Sequence, residues 1–206
     1  MEGKEQLTRD GAANALEERL RSNPAPGSVS FRAPFTYDYP RRYGPSPGHA
    51  LDIGSGSGRD AAWLASSGWT VDAVEPPPTM LAGAKRLHAA RQITWIDDSL
   101  PGLRQVRDLD RTYDLVLASV VWMHLSAGEQ RRAVETVSCL VAREGILNIT
   151  SRRGGSEVDR DFHPVDIEAT VDAFAAKGFN LLDKSADRDL LGREVVWQKF
   201  TMRQRT

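Results

Sequence analysis

The sequence predicts an α/β fold: a doubly wound, seven-stranded, mostly parallel sheet that closes with an antiparallel hairpin. Three observations predict it. From residue 49 onward, short apolar runs alternate with stretches of helical periodicity. The run YDLVLASVV (113–121) is apolar almost without a break, which suits a central strand buried on both faces. The last two strand-like runs, near 179–185 and 194–202, have nothing helical between them, so they should pair antiparallel.

Taken in order, ALDI (50–53) reads as a short strand ending at Gly54, and RDAAWLASS (59–67) as a helix closed by Gly68. TVDAVE (70–75) is the second strand. TMLAGAKRLHAARQ (79–92) is a helix with Pro78 in its first turn, where a missing N–H costs nothing. ITWI (93–96) and residues 113–121 are the third and fourth strands. AGEQRRAVETVSCLVA (127–142) is a long helix, and GILNITS (145–151) is the fifth strand. PVDIEATVDAFAAKG (164–178) is a helix that starts near Pro164 and stops at Gly178. In such sheets a ligand binds outside the carboxyl ends of the strands. The glycine-rich turn after the first strand lies at that edge.

The chain divides into an N-terminal part, residues 1–47, and a domain, residues 48–206. Residues 9–21 space Ala12, Ala13, Leu16 and Leu20 along one side of an amphipathic helix. Residues 22–49 hold six of the eleven prolines, which argues against regular structure. The aromatics there, Phe31, Phe35, Tyr37, Tyr39 and Tyr43, fit either a lid over a pocket or a loosely attached arm. A length of 206 residues with 40% apolar side chains sustains a real core. A net charge of −1 supplies no broad positive field, so neither nucleic acid nor an anionic membrane is the expected partner. The single cysteine, Cys139, excludes an intramolecular disulfide and a multi-cysteine metal site, and reads as a small core residue. Asp159, Asp161 and His163 are too irregularly spaced to predict a metal centre. No apolar signal region or membrane-length run is visible, so a cytoplasmic location is expected.

The stretch LDIGSGSGRD (51–60) sets Gly54, Gly56 and Gly58 at alternate positions. A dinucleotide fingerprint would require its third glycine at position 59, where Arg59 stands, and no phosphate-loop lysine follows. Glycines this dense imply close approach of a ligand to the backbone. The stretch resembles the first motif of the class I S-adenosylmethionine-dependent methyltransferases. Glu75, twenty-one residues after Gly54, stands where that family places an acid for the ribose hydroxyls, although a dinucleotide enzyme uses the same device. ITWIDDSLP (93–101) resembles the third-strand motif, whose acid accepts from the adenine amine; alignment on Ser99 favours Asp98, with Asp97 second. YDLVLASVVWMHL (113–125) and LVAREGILNIT (140–150) resemble the fourth-strand motif and the passage into strand five. The chain is also similar to bacterial methyltransferases of unassigned substrate that carry GSGRDAAWL, WIDD and VWMHL blocks. The resemblance runs from 49 to about 202 and departs in two places. EPPPTM replaces the usual polar helix cap, and residues 24–47 do not resemble the ordered helical segment that usually precedes the glycine motif.

The resemblance implies a Rossmann-like methyltransferase with S-adenosyl-L-methionine as cofactor. Its implied contacts are Asp52, Gly54, Ser55, Gly56, Gly58 and Arg59 around the loop. Beyond it come Glu75 and Pro76 after the second strand, Asp97, Asp98 and Ser99 after the third, and Ser119 on the fourth. The expected reaction is in-line methyl transfer to a small-molecule acceptor. His124 is the candidate general base, its reference pKa near 6.5 suiting neutral pH. Its alternative role is to cap the next helix or orient Trp122. Trp122 and Arg152 are the candidate acceptor contacts, Trp63 and Trp95 read as core, and His49 and His88 as surface or helix-face residues. SVVW (119–122) stands in place of the tetrapeptide of amino-methylating DNA enzymes, which speaks against that substrate. Two other readings remain open on sequence: a donor-binding regulatory or interaction domain without transferase activity, and a dinucleotide oxidoreductase.

Overall fold

The elements follow from the alternation of short apolar runs with helical periods. In the computed structural model, which describes residues 46–153, 162–188 and 195–205, they are β1 (His49–Ile53), α1 (Arg59–Ser66), β2 (Thr70–Val74), α2 (Pro78–Leu87) and β3 (Ile93–Ile96). Next come α3 (Arg104–Arg107), β4 (Tyr113–Ser119), a single 3₁₀ turn (Trp122–His124), α4 (Ala127–Leu140) and β5 (Val141–Arg153). The chain closes with α5 (Ile167–Ala176), β6 (Phe179–Arg188) and β7 (Val196–Gln204). The seven strands lie in the order β3-β2-β1-β4-β5-β7-β6. β1 to β5 run parallel and β6 pairs antiparallel with β7, as the sequence predicts, while the structure places β7 between β5 and β6, antiparallel to both. The proposed helix at 9–21 and the proline-rich arm fall outside the described residues. Among the described residues, no helix is long and apolar enough to cross a membrane.

Alternation of side chains along each strand divides the core between the two faces of the sheet. On one face Leu51, Val116 and Leu147 meet Val134 and Val137 of α4 and Phe174 of α5. On the other, Ala50, Val71, Leu115 and Ile146 meet Ala61 and Leu64 of α1. At the amino end of the sheet the buried Tyr113 hydroxyl donates to Asp72 Oδ2 at 2.7 Å, tying β4 to β2 across β1. In the closing hairpin Asn148 Nδ2 donates to Thr201 Oγ1 at 3.0 Å, so the β5–β7 pair is held by a buried polar bond as well as its ladder.

Several boundaries differ from the sequence reading, each for a local reason. α2 stops at Leu87 rather than 92; His88 N still donates to Ala84 O, and the chain then turns to bring Ile93 opposite Val71. β4 stops at Ser119, because Val120 takes a left-handed φ of 62° and donates its N–H to Thr150 O. β5 begins at Val141, four residues early, and absorbs an irregularity at Glu144 (φ 62°) and Gly145. A Cβ at Gly145 would sit 2.9 Å from Tyr113 O, so only glycine lets the strands approach there. α5 starts at Ile167 rather than at Pro164, with the Asp166 carboxylate accepting from Ala169 N as its cap. Cys139 is exposed, which corrects its reading as core: the buried stripe of α4 is Ala133, Val134, Val137 and Leu140, and position 139 falls off it.

Phe174 is fully buried, with ring centroids 6.0 Å from Trp122, 5.5 Å from Phe179 and 6.3 Å from Phe200. Phe174→Ala empties the centre of this cluster, and denaturant unfolding is expected to show a loss of about 3–5 kcal/mol.

Candidate functional site

Strand register builds the site. Ile53 pairs with Val74 and with Ala118, and Val74 pairs with Ile96. The next residue on each strand, Gly54, Glu75, Asp97 and Ser119, therefore stands in one row along the carboxyl edge. The strand order reverses between β1 and its neighbours β2 and β4, so this row borders the crevice where a doubly wound sheet accepts a ligand.

The loop glycines have different tasks. All are left-handed, with φ of 68° at Gly54, 55° at Gly56 and 76° at Gly58. A Cβ at Gly54 would lie 2.3 Å from Val121 Cγ2, and one at Gly58 would lie 2.3 Å from Trp95 Cη2 and 3.0 Å from His88 Cδ2. At Gly56 a Cβ would meet nothing within 4 Å. Two glycines thus admit the protein's own side chains, and the third faces open space. Ser55 N donates to Val74 O at 2.8 Å, Gly56 N to Glu75 Oε2 at 2.7 Å and Gly58 N to Ser55 O at 2.8 Å. The loop is thereby fastened to β2 at its base and closed on itself at its tip.

Electrostatically the floor of the loop carries a surplus of acid. Asp52 is 1% exposed, and its Oδ2 has no hydrogen-bond partner among the described residues. Burial pushes its carboxyl well above the usual 3.8, and the Asp60 carboxylate pushes the same way against the opposing Ala61 N–H and Arg59. Glu75, 8% exposed, is also raised by burial, with the Gly56 N–H opposing. Arg59 directs its Nε to Asp60 Oδ1 at 3.3 Å and is 41% exposed. Ser55 Oγ and Ser119 Oγ are likewise buried without partners. Unpaired buried polar atoms are costly; Asp52, Ser55 and Ser119 bring three of them to this strand edge, and others lie elsewhere among the described residues, on Asp72 and Asn148. Among the described residues, no group of three or more His, Cys, Asp or Glu side chains is placed to hold a metal, and Asp159 and Asp161 lie outside them.

After β3 the two acids separate in role. Asp98 Oδ1 accepts from Ser99 N at 2.8 Å, while Oδ2 accepts from Gln105 N at 2.8 Å and Val106 N at 3.2 Å. This carboxylate caps α3, a helix that the sequence reading did not anticipate. Asp97 is exposed, and its main-chain carbonyl accepts from the Gln105 side-chain amide. Asp98 thus accepts three main-chain hydrogen bonds, and Asp97 lies exposed next to it. Ser99 and Pro76 are exposed beside them.

Past β4, Trp122 is fully buried against Phe174, because the 3₁₀ turn rotates its ring into the α5 side of the core. Its reading as an acceptor contact is corrected. His124 is exposed with its ring 5.2 Å from Phe162, and the Arg152 guanidinium lies 4.7 Å over the same ring. The two remaining acceptor-side candidates thus gather on Phe162, a residue not singled out from sequence. Its one sequence signal is being the single aromatic in the polar segment 152–163. The alternative of His124 as helix cap fails, since Ser126 caps α4 and its N–H donates to Glu129 Oε2 at 2.9 Å. His49 is exposed, as read, and Trp63 and Trp95 pack at the border of the core. His88 is not a plain surface residue: Nε2 reaches Ser57 O at 3.0 Å, thirty-one positions away, a pairing without any sequence signal.

Residues 50–145 match the family described as "Methyltransferase domain". No curated protein matches the chain. Among solved structures it is similar to the N-methyltransferase NodS from Bradyrhizobium japonicum WM9 in complex with S-adenosyl-L-homocysteine, at 15% identity and a TM-score of 0.65, over 93% of this chain and 97% of that one. It is similar to the magnesium protoporphyrin IX methyltransferase (ChlM) from Synechocystis PCC 6803 with bound SAM, at 17% identity and a TM-score of 0.63, over 96% and 81%. A third is the 1,6-didemethyltoxoflavin-N1-methyltransferase from Burkholderia thailandensis, at 18% identity and a TM-score of 0.60, over 78% and 72%.

The glycine geometry separates two substitutions. Gly56→Ala pays only for the left-handed backbone, about 1–2 kcal/mol, whereas Gly58→Ala must also displace Trp95. Urea unfolding is expected to show the larger loss for Gly58→Ala. Asp52 supplies a pH test. Its native carboxyl holds a proton more tightly than in the unfolded chain, so the wild type loses stability as pH rises from about 4 through the raised native value. Asp52→Asn removes that loss. Unfolding measured against pH is expected to show the variant gaining on the wild type across this window, with the difference independent of pH below it.

Proposed function

With residues 50–145 belonging to the methyltransferase-domain family, and the described sheet carrying the S-adenosylmethionine-dependent methyltransferase fold, we propose that this chain methylates a small-molecule acceptor by in-line displacement. The observation that carries this reading is the row formed by Gly54, Glu75, Asp97 and Ser119, set beside buried oxygens of Asp52, Ser55 and Ser119 that lack partners among the described residues. When bound, S-adenosyl-L-methionine supplies a methyl group already activated on a sulfonium. Glu75 keeps one oxygen on Gly56 N and offers the other to a ribose hydroxyl. Asp97 accepts from the adenine amine. Asp52 faces the amino group, where a cation relieves the cost of its buried charge. Gly56 leaves the space into which the donor settles.

The chain's catalytic contribution is mainly orientation, which supplies roughly 7–11 kcal/mol when two reactants are held in line. His124, just past β4, and Arg152, near the carboxyl end of β5, collect on Phe162 and form the acceptor side. His124 takes the acceptor's proton where the reaction releases one. A small-molecule acceptor is supported by two of the similar structures, named for 1,6-didemethyltoxoflavin and magnesium protoporphyrin IX. The near-neutral charge of the chain supports it too.

Calorimetric titration tests the reading. The protein is expected to bind S-adenosyl-L-methionine and S-adenosyl-L-homocysteine but not NAD. Glu75→Ala and Asp97→Ala each weaken that binding by roughly 10-fold or more, in line with loss of a hydrogen bond to a charged group. Asp98→Ala acts chiefly on stability through the cap of α3. Undiminished affinity in both Glu75→Ala and Asp97→Ala would overturn the assignment. Formation of S-adenosyl-L-homocysteine with a panel of small acceptors is the test of turnover.

A further inference from the structure

His88, the residue that ends α2, is half-buried against the glycine loop. Its Nε2 lies 3.0 Å from the carbonyl oxygen of Ser57. Because that partner only accepts, Nε2 carries the proton, and the neutral ring is the Nε2–H tautomer. The imidazole stacks on Trp95 from β3, with centroids 6.3 Å apart and planes 15° apart. The same two rings close over Gly58, leaving no room for a Cβ.

The peptide unit joining Ser57 to Gly58 is the tip of the loop. Its N–H donates to Ser55 O at 2.8 Å, and its C=O accepts from His88. Gly58, left-handed at one end of this unit, lacks the side chain that would restrict its rotation, so the two bonds together fix the orientation of the peptide. We propose that His88 is a positioning residue for donor binding: it clamps the Ser57–Gly58 peptide, and so fixes the direction of the loop and of the first turn of α1 toward the donor's methionyl end. This rests on the reading of the loop as the donor site. Burial lowers the His88 pKa from its ordinary 6.5, the Ser57 carbonyl opposing and Arg91 assisting, so at neutral pH the clamp adds no charge beside the loop.

The test compares wild type, His88→Phe and His88→Gln. His88→Phe keeps a ring on Trp95 and loses the donor; His88→Gln loses the ring and keeps an N–H donor. Titration with S-adenosyl-L-homocysteine is expected to show about 3- to 10-fold weaker binding for His88→Phe, the loss of one neutral hydrogen bond, and recovery of most of that affinity in His88→Gln. Hydrogen exchange at the Gly58 amide of the ligand-free protein is expected to quicken in His88→Phe and slow again in His88→Gln. Wild-type binding with unchanged affinity in His88→Phe, or no recovery in His88→Gln, overturns the inference and leaves the donor reading standing. A wild type that fails to bind removes the donor reading instead. The exchange measurement then still decides on the clamp, and an unaltered Gly58 rate in His88→Phe overturns it.

Discussion

The parallel pairing of β1 with β2 on one side and β4 on the other governs the rest of the molecule. Both pairs share a level at Ile53, so three chain segments leave the sheet side by side at its carboxyl edge. Without that coincidence Gly54, Glu75 and Ser119 would be scattered loop residues. With it, the amide of Gly56 falls within reach of the Glu75 carboxylate, and the loop acquires its fixed curve. The buried brace between Tyr113 and Asp72 holds the same three strands together at their opposite ends.

The site is costly as architecture. Three left-handed glycines carry a conformational penalty, and Asp52 is buried beside Asp60 with one oxygen lacking a partner among the described residues. A fold under selection for stability alone would relieve both. Both features fall at one strand edge of a sheet otherwise packed mainly with Leu, Val, Ile and Phe.

Around that edge the protein spends side chains on holding main chain. Asp98 caps α3, Trp95 and His88 enclose Gly58, and Ser126 with Glu129 opens α4 just past His124. Phe162 performs a related task past β4, a single ring contacted by both His124 and Arg152. Such supporting contacts limit how far the direct contacts can drift, which is where orientation effects are gained or lost.

By itself the sequence determined the α/β class, the seven strands, the antiparallel closure and the position of the glycine loop. These are local properties: strand and helix periods differ, and glycine spacing is visible along the chain. Element ends were less legible, because α2, β4 and β5 stop or start where pairing with a neighbouring strand requires. Tertiary structure alone decided that Trp122 faces the core, that Cys139 faces solvent, and that His88 meets Ser57. Each of these depends on partners far along the chain or on a rotation of a third of a helical turn, and neither leaves a mark in the order of the residues.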